Sequence, residues 1–119
     1  MKKVNVAEKL QMFHEHWSPK IVGELNESYV KLVKLQGEFV WHLHENEDEM
    51  FFVIKGELVI KLRTEDITLR EGEFFIIPKG VEHMPVAKEE VHAMLLEPKT
   101  TLNTGNINNE RTVEDLQSI

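Results

Sequence analysis

The sequence predicts an all-β fold: a closed barrel or sandwich of many short strands, with a short helix in front. Three observations carry this expectation. Between Ile21 and Glu97 short apolar segments recur, rich in Val, Ile, Leu and Phe, side chains that fit a pleated, half-buried surface. Gly, Asn, Asp and Pro punctuate them at short intervals, as tight turns between strands require. So many strands in a chain of 119 residues favour closure over a flat sheet, because closure removes exposed edges.

Taken in order, residues 1–20 form an N-terminal arm. Val6, Leu10, Phe13 and Trp17 fall on one helical stripe, so a short amphipathic helix is expected, with Pro19 ending it. Residues 21–98 form the barrel. Its expected strands read KIVGEL, SYVKLVKL, EFVWHLH, EMFFVIK, ELVIKLR, DITL, EFFIIP and VHAMLLE. Lys55-Gly56-Glu57 and Arg70-Glu71-Gly72 read as hairpin turns, and Pro78-Lys79-Gly80 as a further turn. Residues 99–119 are polar and form a tail packed on the barrel or on a partner subunit, with a last helical turn expected at VEDLQSI.

Composition narrows the function classes. Hydrophobic residues make up 41% and charged residues 29%, the balance of a globular protein. The formal net charge is −7, and Lys and Arg build no basic patch, so nucleic acid is excluded as a partner. No apolar run approaches the roughly 18 residues a membrane span needs. The N-terminal lysines have no apolar stretch behind them, so no secretory signal is read and the cytoplasm is the expected location. The chain has no cysteine, which removes disulfides and thiolate chemistry.

The stretch WHLHENEDEM, residues 41–50, carries the candidate chemistry. Side chains alternate along a strand, so His42 and His44 share one face. Alone, such a pair is more often incidental than a cation clamp. Glu49 opens the next apolar segment, and antiparallel pairing of that segment with EFVWHLH would return it over the same face. His83 follows the Pro-x-Gly turn at 78–80, which can aim it at a fixed point. Three imidazoles and one carboxylate make a mixed set suited to one divalent transition metal per chain (Mn, Fe, Ni, Co or Zn) rather than Ca or Mg. Four protein ligands on an octahedral ion leave two positions for a small-molecule ligand. Glu45, Glu47 and Asp48 read as a solvated acidic turn. His14 and His16, two apart on a helix, read as surface residues. His92 is the one further candidate for a role near the metal, against an ordinary surface or core position. Tyr29, Phe51 and Met94 could line a pocket, though plain core packing accounts for each.

These residues resemble the two motifs of small single-domain cupins. Gly37, His42, His44, Glu49 and Gly56 match the first motif, and Gly72, Pro78, Gly80 and His83 the second. Gly37 stands one residue closer to His42 than is usual, and Ala87 replaces a frequent asparagine; neither position is a ligand. The resemblance implies a cupin double-stranded β-helix, a jelly-roll barrel, with one divalent metal held by His42, His44, Glu49 and His83. It also implies a homodimer. The pattern agrees, since EMFFVIK and FFIIP are apolar on both faces and a strand apolar on both faces is buried on both.

The resulting expectation is a metal-dependent enzyme acting on a small polar metabolite, of isomerase, decarboxylase or dioxygenase type. A non-catalytic module that holds a sugar or carboxylic acid, and a barrel with a vestigial site, are the alternatives. No catalytic acid or base is assigned from the sequence.

Overall fold

The computed structural model describes all 119 residues. Helix α1 spans Val6–Leu10, and seven strands follow: β1 Lys20–Leu25, β2 Ser28–Glu38, β3 Glu49–Lys55, β4 Leu58–Leu62, β5 Asp66–Leu69, β6 Phe74–Ile77 and β7 His83–Pro98. Every strand pairing is antiparallel.

Strand β7, 16 residues long, organises the barrel. Its second half lies between β2 and β3, with Leu95 opposite both Lys31 and Phe51. Its first half pairs with β4, Val86 opposite Val59, and with the end of β2, Val86 opposite Glu38. One strand thus serves two layers. Between Val91 and Leu95 it alternates strictly, with Val91, Ala93 and Leu95 buried and His92 and Met94 half-buried. Its inward residues meet Val33 and Leu35 of β2, Phe51 and Val53 of β3, and Leu58 and Ile60 of β4 in one core. Fully burying a side chain of this size contributes roughly 1.5–3 kcal/mol.

The Lys55–Glu57 and Arg70–Gly72 turns are not hairpin turns, which corrects the sequence expectation. β3 pairs with β6 and β7, whereas β4 pairs with β5 and β7. Each turn therefore carries the chain from one layer to the other, as a jelly roll requires. Gly56 shows the cost of that crossing. Its φ is +93°, and an added Cβ would lie 3.1 Å from the carbonyl oxygen of Glu90 and 3.1 Å from Val91 Cγ2. Only glycine fits both the backbone conformation and the space.

The arm also departs from expectation. The helix ends at Leu10 instead of running towards Pro19. Asn5 caps it through Oδ1, which accepts from the Glu8 N–H at 3.0 Å. The stripe is buried, but by a bent chain: Leu10 and Phe13 pack on Leu32 outside the barrel, and Trp17, at φ +60°, turns into the main core. Two anchors in different layers cannot lie on one straight helix. This arm covers part of the outer apolar surface, including Ile54 and Met94.

No helical turn forms at residues 113–119. The chain end instead runs beside β1: Ile21 N–H donates to Gln117 O and Ile119 N–H donates to Ile21 O. The tail folds back on the barrel, with Thr104 fully buried. No helix is long and apolar enough to cross a membrane.

Candidate metal centre

The segment 39–48 is not a strand of the sheet, another departure from expectation. His42 makes a two-way backbone bridge to His83, N–H to O at 3.0 and 2.9 Å, and His44 O accepts from Gly80 N–H at 2.8 Å. The Pro78–Gly80 turn and the start of β7 therefore hold the first two histidines, and β3 does not. Glu49 arrives from the other side, paired with Ile77 of β6. The acidic residues between are spent in the loop: Asp48 Oδ1 accepts from Lys79 N–H at 2.9 Å and Glu47 Oε2 from Thr100 Oγ1 at 2.8 Å.

These connections bring His42, His44, Glu49 and His83 to one point. One ligand atom from each lies within 4.8 Å of all the others, and all four residues are buried. The Nε2 atoms of His44 and His83 each stand 3.4 Å from Glu49 Oε1. His42 Nδ1 lies 2.8 Å from Val40 O and His83 Nδ1 lies 2.9 Å from Val81 O. A carbonyl only accepts, so each Nδ1 carries the proton and each Nε2 presents a lone pair towards the centre. Burial, reinforced by the His83 ring, pushes the His42 imidazole down to about 4, which keeps it neutral. Burial alone would raise Glu49, but the Glu97 carboxyl and the His44 and His83 rings beside it outweigh this and hold the carboxyl well below its usual range.

The fit to a cation rests on partnerless atoms. Both ring nitrogens of His44, Glu49 Oε1 and His83 Nε2 are buried and have no hydrogen-bond partner. Buried polar atoms are normally satisfied, and leaving each one without a partner costs about 1–3 kcal/mol. Neutral imidazole nitrogens and one anionic oxygen converging at bonding separations suit a divalent transition metal.

Two residues that sequence reasoning passed over belong to the site. The β3–β7 register, with Phe51 opposite Leu95, sets Glu49 against Glu97. Glu97 is 2% exposed and Lys31 1% exposed, and Lys31 Nζ donates to Glu97 Oε1 at 2.8 Å. Burial and then the Glu49 charge raise Glu97 well above the usual carboxylate range, with Lys31 offsetting part of this. Parity held the signal: Glu97 continues the inward series Val91, Ala93, Leu95, and Lys31 shares its face with Val33 and Leu35.

Beside this cluster lies a cavity of about 30 Å³, lined by His42, Glu49 and Glu97 on its polar side and by Trp17, Phe39 and Phe51 among its apolar residues, with room for about two water-sized groups. The Trp17 and Phe39 rings stack at 4.7 Å. Of the other residues considered from sequence, Phe51 reaches this cavity and Tyr29 and Met94 do not. His92 faces outward from β7 and bonds Glu90 at 2.9 Å, away from the centre. Glu90 bridges it to His16 on the arm, 2.7 Å away.

Residues 29–98 match the family model described as "Cupin domain". The chain is 34% identical over 79 residues to "Uncharacterized protein YdbB" of Bacillus subtilis (strain 168), covering 66% of this chain and 67% of that one. It is 27% identical over 96 residues to the 3-hydroxyanthranilate 3,4-dioxygenase of Danio rerio, covering 77% of this chain but only 29% of the dioxygenase. Among solved structures, a cupin-2 domain containing protein from Shewanella frigidimarina NCIMB 400 superposes with a TM-score of 0.80 at 50% identity, covering 81% of this chain and 94% of that one.

Proposed function

The chain belongs to the cupin domain family, and from that premise we propose that it is a metal-dependent enzyme acting on a small polar metabolite. The observation that carries this reading is the buried, partnerless set of three imidazoles and one carboxylate within 4.8 Å of one another. His42, His44, Glu49 and His83 would hold the ion. A bound Mn, Fe, Co, Ni or Zn ion supplies Lewis acidity and, where redox-active, a centre for oxygen chemistry.

The chain's own residues set the terms of the reaction. His42 and His83 keep their Nδ1 protons on Val40 and Val81 and leave Nε2 free. Trp17, Phe39 and Phe51 wall the adjoining cavity and restrict water. Glu97 is the further carboxyl on that cavity and can hold a proton beside Glu49. The similarity to 3-hydroxyanthranilate 3,4-dioxygenases, of which this chain spans less than a third in Danio rerio, makes oxygen-dependent chemistry the first arm to test.

The test begins with metal analysis of protein purified from its native host, where about one transition metal per chain is expected. Anaerobic Fe(II) loading followed by an oxygen-uptake screen over a metabolite panel then tests turnover. Protein without metal, or metal-loaded protein inert to the whole panel with several metals, overturns the reading. A second reading, a non-catalytic holder of a small ligand, is favoured by the lining of the cavity, where Glu97 is the one titratable residue besides His42 and Glu49. A thermal shift with a ligand that is recovered unchanged would select it.

The proposal includes a second copy of the chain. The β3–β6 register places Met50 beside Ile76 and Phe52 beside Phe74. Phe74 and Ile76 are 57% and 51% exposed on the free edge of the sheet. The arm covers Ile54 and Met94 but not these four. A self-complementary patch on an open edge is what a two-fold dimer covers.

A further inference from the structure

The HxH segment lacks a neighbouring strand on one side, and the C-terminal segment takes that place. Along residues 42–44 the backbone groups alternate in direction. Those of His42 and His44 face His83 and Gly80. Those of Leu43, the residue between the two ligands, face the tail. Asn106 takes both: its N–H donates to Leu43 O at 3.0 Å, and its Oδ1 accepts from Leu43 N–H at 3.0 Å. Gly105 brings the tail to this distance. At φ +58°, a Cβ on it would lie 2.1 Å from Leu43 O and 3.1 Å from the His42 ring, so no other residue allows the approach.

The tail around this clamp is itself fixed. Thr104, fully buried, donates to Ile107 O at 2.6 Å and lies 2.6 Å from Thr112 Oγ1. Asn103 donates to Arg111 O at 2.8 Å and accepts from Val113 N–H at 2.9 Å. Arg111 sits 5.6 Å from the Trp17 ring centroid. The loop that presents Asn106 is therefore knotted by its own side chains and seated on the aromatic wall of the cavity.

We infer that Asn106 is a positioning residue for the metal centre, and that the segment Thr101–Val113, outside the residues matched by the family model, is part of that centre. This rests on the metal reading above. Leu43 sets the direction of both flanking imidazoles, so fixing its two backbone groups fixes the angle between two ligands. Supporting contacts of this kind are worth about 10–100-fold in metal affinity.

Asn106 is exposed, so Asn106→Ala removes one acceptor without emptying a core. Wild type, Asn106→Ala and the acceptor-preserving Asn106→Asp are stripped of metal and titrated with Co(II) against a competing chelator. Amide exchange at Leu43 is followed in the metal-free proteins. The expected result is a loss of about tenfold or more in Co(II) affinity for Asn106→Ala, faster exchange at Leu43, and recovery of both in Asn106→Asp. Unchanged affinity in Asn106→Ala overturns the inference, as does an equal loss in both variants. Should Asn106→Ala fail to fold, Asn106→Asp decides alone: wild-type affinity supports the acceptor role and a tenfold loss removes it. A wild type that binds no Co(II) ends the metal reading instead, and the clamp is then judged on Leu43 exchange, where equal rates in all three proteins refute it.

Discussion

Removing Lys31 tests the charge arrangement behind the cluster of three histidines and Glu49. Lys31 Nζ and Glu97 Oε1 stand 2.8 Å apart, with side chains 2% and 1% exposed. Breaking a buried pair by deleting one partner costs about 3–5 kcal/mol, because the survivor is left charged in a poor solvent. Lys31→Met keeps the length of the stem and removes the charge. Glu97 has an escape, since it can take a proton, and burial already pushes it well above the ordinary carboxylate value of 4.5. The sign follows from proton counts. With its folded pKa raised, the native state holds a proton that the unfolded chain has released. Stability therefore falls as pH rises from 4.5 towards the folded pKa, by about 1.4 kcal/mol per pH unit. Lys31 lowers the Glu97 pKa in the wild type, so Lys31→Met raises it further. The penalty should be smallest at low pH, where both proteins hold the proton, and grow with pH towards the roughly 3 kcal/mol of a broken buried pair. At the melting point that is a drop on the order of 10 °C for a domain of this size.

The assay is urea unfolding of the metal-free protein, followed by circular dichroism between pH 5 and 8. Lys31→Met/Glu97→Leu removes the whole pair, and an apolar replacement of this kind is often neutral or stabilising. It should be more stable than Lys31→Met alone at pH 7.5. A penalty below about 1 kcal/mol at pH 7.5, a penalty that shrinks as pH rises, or a double variant worse than the single one would refute the reasoning.

The remaining predictions concern the ligands, the corner and the outer face. His44→Leu should abolish metal uptake, measured as metal per chain, yet raise the melting temperature of the metal-free protein. Both His44 nitrogens are buried without partners, and an apolar side chain removes a cost of about 1–3 kcal/mol. A lower melting temperature would contradict this. Gly56→Ala forces a left-handed φ and a 3.1 Å approach to Glu90 O. It should destabilise by more than about 1 kcal/mol in urea unfolding, and a neutral result would count against the tight corner. Phe74→Lys with Ile76→Lys should turn a dimer into a folded monomer in sedimentation at micromolar concentration, and a wild-type monomer there would remove the dimer proposal.

What was legible in the sequence follows from which contacts are local. Strand parity is local, but it does not say which face is inward: EMFFVIK is apolar on both faces, and His92, the further candidate for a place near the metal, stands on the outer one. Gly and Pro report turn conformation, so the turns were found, and with them the four residues that the fold brings to one point. Whether a turn closes a hairpin or crosses between layers depends on the partner strand, which a turn's own residues do not encode. Lys55–Glu57 reads alike in both cases; only the carbonyl of Glu90, 34 positions away, decides why Gly56 is needed. The helical stripe misled for a related reason. Its spacing fits a helix, but Leu10 and Trp17 are buried in different clusters, and that demand breaks the helix after one turn and a half. The same limit hid the tail. The tail is expected to pack on the barrel or on a partner subunit, but its asparagines and glycine do not say where until Leu43 is seen to need partners for two backbone groups. A segment that carries His42 and His44 and lacks one neighbouring strand must find those partners somewhere, and here they are 63 residues downstream. The three histidines and the glutamate announce the site by residue type; the residues that hold them in place announce themselves only through the backbone they satisfy.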